Sequence, residues 1–366
     1  MKPKKVSHQL LPKLLLISVP VILWIAWQLS LPNNQYVFRI WESILNVRGL
    51  TNGPFYPRIS EEMVEVGGMA PYTAQAVPRF VHWTTDQYGN RNRLPLCLDQ
   101  EVIVLGDSMA IGDSMDDSDI LSAQLSSGLN HCVRSVAGGK LGHQAERMFE
   151  LNLSPHWVIF VVAQYAITDL LEIKSFKMPS LDQVGILESN PILDQIKVAG
   201  NRIRKNMYWN YRATHGLFAA IYRSFLSPHE ATSLIAPAPQ TPSMIFSSPK
   251  DGRYISDDQI TNMVEAMERF TTQLHQRNIQ VIFTIVPQKE EIYSDLAKVA
   301  PSSFSEKWLS KTTNKSFHYV DLFASMRALY QEKRTFFHHL DDNHWNKTGV
   351  QVLAESIIPL IKKEQK

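Results

Sequence analysis

The chain has 366 residues, 44% of them hydrophobic, enough to enclose a sizeable core and incompatible with a disordered polymer. Thirty-seven basic residues stand against thirty-five acidic ones, a formal charge of +2. That balance argues against nucleic acid as a partner, because such binders draw affinity from neutralising phosphates.

Lys2, Lys4, Lys5 and Lys13 precede LLLISVPVILWIAWQLSL, Leu14 to Leu31, a run without charge. Its length suits a helix crossing the hydrocarbon of a bilayer, and the flanking lysines predict a cytoplasmic N-terminus. No A-x-A-like cleavage site follows, and Trp24 and Trp27 stand where interfacial anchors would. The expectation is a single-pass membrane protein. Residues 1–31 are its cytoplasmic tail and transmembrane anchor, 32–80 a stalk or lead-in rich in Pro and Gly, and 81–366 a domain that is periplasmic or extracellular. Cys97 and Cys132, the chain's two cysteines, fit an exported protein as one disulfide or as two buried thiols.

From Glu101 onward short apolar runs alternate with helical patterns. EVIVL (101–105), HCVRSV (131–136), HWVIFVV (156–162), IQVIFTIV (279–286) and FHYVDL (317–322) read as strands, the central ones nearly continuously apolar, as strands covered on both faces are. Helices are predicted at 257–276 and 346–362. The alternation predicts an α/β fold: a three-layer, open parallel sheet with helices on both faces, which binds ligands at the carboxyl ends of its strands. Residues 175–256 interrupt it as an insertion, helical around 196–225. Its Arg202, Arg204, Lys205, Arg212 and Arg223 read as a solvated helix face.

VIVLGDSMAIGDSM, 102–115, holds the tetrapeptide GDSM twice. Ser108 follows the strand directly, where a helix N-terminus offers unpaired N–H groups to developing negative charge. Ser114 lies among Asp113, Asp116 and Asp117, which oppose an alkoxide-like nucleophile. A serine nucleophile needs a base, and the base an orienting acid. LDDNHWNKTG, 340–349, supplies His344 with Asp342 two and Asp341 three residues before it. No spacing for a metal site or cofactor motif is present.

GDS at the first strand and D-x-H at the last loop, in this order, resemble the SGNH (GDSL-like) hydrolase superfamily over residues 80–365. More narrowly they resemble its membrane-anchored branch that includes alginate O-acetyltransferase-like proteins. TTDQYGNRNR (84–93) is similar to that branch's D-x-x-G-x-R-N lead-in, IVPQKEEIY (285–293) to its P-x-K-x-x-x-Y segment, and DDNHWNKTG to its D-x-H-W-N-x-x-G block. The resemblance implies a flavodoxin-like, SGNH-type sheet. It implies Ser108 as nucleophile, His344 as base and then acid, and either Asp342 or Asp341 as orienter. The oxyanion would meet the N–H of Ser108 and that of Gly139 or Gly138 in SVAGGKLG (135–142). The superfamily's third block carries Asn before Asp. Here Thr168 stands before Asp169, leaving Thr168 or Gln164 as substitute donors.

Lys289, Tyr293 and Trp345 are candidate substrate-binding residues: the first two to orient an acyl acceptor or, equally, to form a solvated helix start with a packed tyrosine, and Trp345 to stack on a sugar or, the favoured reading, to pack beneath the histidine loop. Asp86, Arg91 and Asn92 read as a structural hydrogen-bonded turn. The implied activity is that of a serine esterase or O-acyl(acetyl)transferase on a cell-envelope or exported polysaccharide. Its partners would be an acyl donor with a glycan acceptor, or an acylated glycan, and an envelope export or acetylation complex. Two rival readings are a catalytically weak carbohydrate-binding or scaffold protein, favoured by the missing Asn, and an intracellular lipase-like enzyme, disfavoured by the lysine-flanked span.

Overall fold

In the computed structural model the described residues are 53–65, 67–69, 75, 77, 79–94, 101–173, 196–201, 244–246 and 255–364, with 18–19, 22–23 and 44–45. Five parallel strands form the central sheet: β3 (Val102–Gly106), β4 (Val133–Ser135), β5 (Trp157–Ala163), β6 (Gln280–Val286) and β7 (His318–Val320). Each agrees with one of the five predicted runs to within two residues at either end. Their spatial order is β4-β3-β5-β6-β7, which is the flavodoxin-like 2-1-3-4-5 arrangement. The order reverses between β3 and β5, so a crevice opens at the carboxyl ends of those two strands.

Strand alternation explains why both faces are covered. Val102 and Val104 with Trp157, Ile159 and Val161 belong to one core, which α1 (Ser108–Ile111), α2 (Leu121–Leu129), α8 (Leu322–Lys333) and α9 (Lys347–Glu364) help close. Ile103 and Leu105 with Val158, Phe160 and Val162 belong to the other, under α3 (Leu141–Glu150), a 3₁₀ helix (Gln164–Glu172), α4 (Asp257–His275) and α7 (Phe304–Thr312). Every residue of β3 and β5 is buried, as the unbroken apolar runs require. The start of α4 carries a capping box in which Ser256 and Gln259 satisfy each other's backbone N–H groups. Two short helices, α5 (Lys289–Ile292) and α6 (Ser294–Ala297), follow β6.

The described part of the lead-in contains strands that its composition does not predict. β1 (Ser60–Glu65) pairs antiparallel with β2 (Arg79–Thr84), so the boundary drawn at residue 80 falls inside a strand. This hairpin has its own small core of Phe55, Tyr56, Ile59, Val81 and Trp83.

Of the predicted membrane segment only residues 18–19 and 22–23 are described. Among the described residues no helix is long and apolar enough to cross a membrane. The insertion's basic cluster lies outside the described residues, although 196–201 is helical as expected. Cys132 is disulfide-bonded, and Cys97 lies outside the described residues.

Candidate active site

β3 ends in Gly106 at φ 139°, where a Cβ would sit 1.9 Å from the carbonyl oxygen of Val161. Only glycine lets β3 run this close to β5 as the chain turns into α1. Asp107 caps that turn. Its carboxylate accepts from the N–H of Met109 at 2.9 Å and of Ala163 at 2.7 Å, tying α1 to the end of β5. Burial pushes this carboxyl up to about 6, against the opposing pull of those two backbone donors.

Ser108 is therefore the first residue of α1, at the point where strand order reverses. Nε2 of His344 lies 2.8 Å from its Oγ, and Nδ1 of the same ring 2.7 Å from Oδ1 of Asp342. Residues 236 positions apart thus form one continuous hydrogen-bonded chain.

A tight loop presents the imidazole. His338 and Trp345 face each other across an isolated bridge, and the N–H of Asn346 donates to Phe337 at 2.8 Å. The Asn346 side chain then caps α9 by accepting from the N–H groups of Thr348 and Gly349. The block read as D-x-H-W-N-x-x-G thus encodes a strand-like bend, a histidine and a helix start in succession.

The two adjacent aspartates part company. Asp342 turns to His344, its other oxygen accepting from the N–H of Gly68 at 2.9 Å and the Ser114 hydroxyl at 3.4 Å. Asp341 faces the lead-in. It accepts from both terminal nitrogens of Arg79, at 2.8 and 2.9 Å, and from the N–H groups of Gly67 and Val77. Geometry assigns the imidazole contact to Asp342.

The two candidate glycines also separate. Gly138 spends its N–H on the carbonyl of Gly106 at 2.9 Å, whereas the N–H groups of Gly139 and Ser108 have no acceptor among the described residues. Gly139 holds φ 73°, a left-handed conformation suited to glycine. Arg147 fixes this loop by donating to the carbonyls of Val136, Ala137 and Gly138, and Gln144 spans the Gly106 backbone through both its amide atoms. Ser108, Gly139 and Gly138 line one cavity of about 200 Å³, walled by Leu45, Pro54, Phe55 and Ile111. Its size suits a short acyl chain. A larger cavity of about 470 Å³ near Asn92, Ser126 and Arg134 contains none of the site's residues.

The substitute oxyanion donors and the acceptor-orienting role of Lys289 and Tyr293 are corrected, while for Trp345 the packing alternative holds. Thr168 is exposed on the 3₁₀ helix and its side chain makes no hydrogen bond among the described residues; the nearby hydroxyl is that of Tyr165, 3.3 Å from Ser108 Oγ. Gln164 is buried, its side-chain carbonyl taken by the N–H of Gln288. Lys289 does not face an acceptor: it is buried, and its ammonium donates to the carbonyls of Ile245 at 3.0 Å and Leu340 at 3.1 Å, bracing the histidine loop from beneath. Desolvation lowers it to about 8, against the pull of Asp342 and Asp341. Tyr293 is buried too. Its hydroxyl accepts from the N–H of Phe337 at 2.7 Å and lies 3.1 Å from Nδ1 of His338. Trp345 stacks on no exposed surface: it is fully buried and donates Nε1–H to the carbonyl of Met109 at 3.1 Å, tethering the histidine loop to α1.

Asp86, Arg91 and Asn92 form the expected structural turn. Asp86 accepts from Tyr88, Asn90, Asn92 and Arg134, and Asn92 brackets both backbone groups of Ser135. Arg91 donates to Asp117 and to the carbonyls of Gly112 and Met115, with its guanidinium 3.6 Å from the ring centre of Trp83. Asp107, Tyr165 and the Gly67–Gly68 pair join the site without having been singled out, and Asp113 and Ser114, read from sequence only as an acidic loop unsuited to a nucleophile, join it in other roles. The second GDSM copy was the available signal for Asp113 and Ser114.

Residues 245–366 match a family model described as the SGNH hydrolase-like domain of the acetyltransferase AlgX. No curated protein matches the chain. Among solved structures, an acetyl xylan esterase from Butyrivibrio proteoclasticus aligns at 10% identity and TM-score 0.32, over 81% of this chain and 73% of that one. A family two carbohydrate esterase from Clostridium thermocellum aligns at 9% and 0.33, over 76% and 68%. Another from Cellvibrio japonicus aligns at 9% and 0.33, over 78% and 70%.

Proposed function

We propose that the chain is a serine esterase or O-acyltransferase of SGNH type, acting on acyl esters of a polysaccharide through an acyl-enzyme on Ser108. The observation that carries this reading is the Ser108–His344–Asp342 chain, with its 2.8 and 2.7 Å links, at the strand-order reversal. The match of residues 245–366 to the SGNH hydrolase-like domain of the acetyltransferase AlgX supports the same chemistry, and the polysaccharide substrate class rests on the sequence resemblance to alginate O-acetyltransferase-like proteins.

The steps follow from the contacts. Asp342 holds the ring with Nδ1–H donating to it, which leaves the Nε2 lone pair towards Ser108. Nε2 takes the hydroxyl proton as Oγ bonds to the ester carbon, and the carbonyl electron pair moves to oxygen. The N–H groups of Ser108 and Gly139, which have no acceptor among the described residues, are the donors for that oxyanion. Tyr165 supplies a third. Burial pushes its phenol well above the usual range, so it stays protonated and donates, in the role the superfamily gives to the absent asparagine. Collapse expels the alcohol with the proton from His344. A second hydroxyl, from water or a sugar, then gives its proton to His344 and takes the acyl group.

Anchoring by residues 14–31 and an extracytoplasmic domain complete the proposal; they rest on the lysine-flanked apolar run and are tested by protease protection of spheroplasts. The activity is tested with the full-length chain in detergent and p-nitrophenyl acetate. Ser108→Ala is expected to lower turnover at least ~1,000-fold, and a fluorophosphonate probe to label Ser108 and spare Ser114. Equal turnover by wild type and Ser108→Ala would overturn the assignment and leave the carbohydrate-binding reading.

A further inference from the structure

The second GDSM copy places Asp113 against the reacting nitrogen. Gly112 closes α1 in a left-handed conformation and Ser114 holds φ 64°, so the chain doubles back past the histidine. Asp113 is buried, and Oδ2 lies 3.5 Å from Nε2 of His344, on the side of the ring opposite Asp342. Neither of its oxygens accepts a hydrogen bond among the described residues.

Asp342, by contrast, is damped by three further donors, the N–H of Gly68, the hydroxyl of Ser114 and the N–H of His344. A buried carboxylate without donors is costly, and structures keep such groups where something arrives to pair with them. What arrives here is a proton. In the resting state Nε2 is an acceptor facing Ser108, and a carboxylate beside it gains nothing. Once Nε2 has taken the Ser108 proton the ring is a cation with an N–H between Oγ and Asp113. The pairing energy appears only as the reaction proceeds, which is the condition for lowering a barrier rather than tightening substrate binding.

We propose that Asp113, which also borders the acyl cavity, is a second carboxylate of the catalytic base that stabilises the His344 imidazolium in the transition states of acylation and deacylation. The inference rests on Ser108 and His344 being the reacting pair. No atom is transferred to Asp113: the proton travels from Ser108 to Nε2 and on to the leaving alcohol, and Asp113 supplies charge.

The other titratable groups facing His344 are Asp107, Asp342, His338, His339 and, across Ser108, Tyr165. Burial holds both histidines neutral and the phenol protonated, so the three carboxylates set the local charge. Asp107 is committed to two backbone donors and Asp342 to three further groups, leaving Asp113 as the uncommitted one.

The test is burst kinetics of the full-length chain in detergent with p-nitrophenyl acetate from pH 5 to 9, on wild type, Asp113→Asn, Asp113→Glu and Ser108→Ala. Asp113→Asn is expected to acylate about 10- to 100-fold more slowly with KM within about twofold. Its acid limb moves to lower pH, because the imidazole has lost a neighbouring negative charge. Asp113→Glu recovers part of the rate. The melting temperature of Asp113→Asn stays at or above that of wild type, since an unpaired buried charge has been removed. Wild-type acylation and pH profile in Asp113→Asn would overturn the proposal, as would a rate loss accompanied by a lowered melting temperature and no recovery with Glu. Turnover surviving in Ser108→Ala would instead remove the reacting pair on which the inference stands.

Discussion

Asp341 and Asp342 are chemically identical neighbours with opposite duties, and the difference lies in what each carboxylate accepts. Asp342 makes one 2.7 Å link to the imidazole, whereas Asp341 takes a bidentate Arg79 fork and two backbone N–H groups. Asp342→Asn keeps the shape but presents the wrong hydrogen-bonding pattern to Nδ1. Turnover is expected to fall about 10,000-fold with the fold intact. Asp341→Asn breaks a buried charge-assisted network and is expected to cost ~3–5 kcal/mol of stability, read as a lowered urea midpoint, with a smaller effect on turnover measured below that midpoint. Equal stability of the two variants would contradict this division. The sequence offered both aspartates at workable spacing; Arg79, which decides between them, lies 262 residues away. Lys289, Tyr293 and Trp345 were placed at the correct end of the sheet, yet their side chains turn inward. Strand order locates a loop and leaves undetermined which of its polar atoms face solvent.

At the scale of elements, the turn 112–115 is the critical piece, since it carries Asp113 to Nε2 and Ser114 to Asp342. Arg91 holds that turn by the carbonyls of Gly112 and Met115 and is itself fixed by Asp117 and the face of Trp83. Methionine fills similar volume without the donors. Arg91→Met leaves Asp117 buried with its ion pair broken, an expected loss of ~3–5 kcal/mol. It also frees the turn, so turnover of the remaining folded protein drops together with urea resistance. Unchanged turnover in the folded fraction would detach the turn from catalysis. Five strands and two long helices were legible because burial on both faces, or on one helical stripe, leaves a periodic record. The β1–β2 hairpin left none: its sequence between the strands is Pro- and Gly-containing, and its small core is assembled from Phe55 to Trp83 rather than from one periodic run. The role of Arg91 was legible only as a structural turn, because its acceptors are backbone carbonyls that carry no sequence identity.

For the whole molecule, the arrangement concentrates buried titratable groups beneath one end of the sheet, and stability inherits their linkage to pH. Burial lowers His338 to about 3, helped by Lys289, and keeps the ring neutral between Tyr293 and the carbonyl of Pro287. His339 is held well below its ordinary value by burial and by Arg79. Below about pH 6.5 the unfolded chain takes up protons on both rings that the folded chain refuses, so stability falls as pH falls. Asp107 acts in the opposite sense. Its folded carboxyl titrates near 6, so between about 6 and 3.8 the folded state holds a proton the unfolded state lacks, and that gain offsets one histidine. One proton's worth of destabilisation remains, at most about 1.4 kcal/mol per pH unit. Lys289, lowered to about 8, adds a second branch: its buried ammonium costs most below pH 8, and stability rises as pH climbs from there towards 10.5. Urea midpoints of the full chain are therefore expected to increase from pH 5 to 7. His338→Gln, which retains a donor for Pro287 and an acceptor for Tyr293, should flatten that slope, because Asp107 then balances His339 alone. A slope as steep in His338→Gln as in wild type would show that the acid sensitivity arises elsewhere.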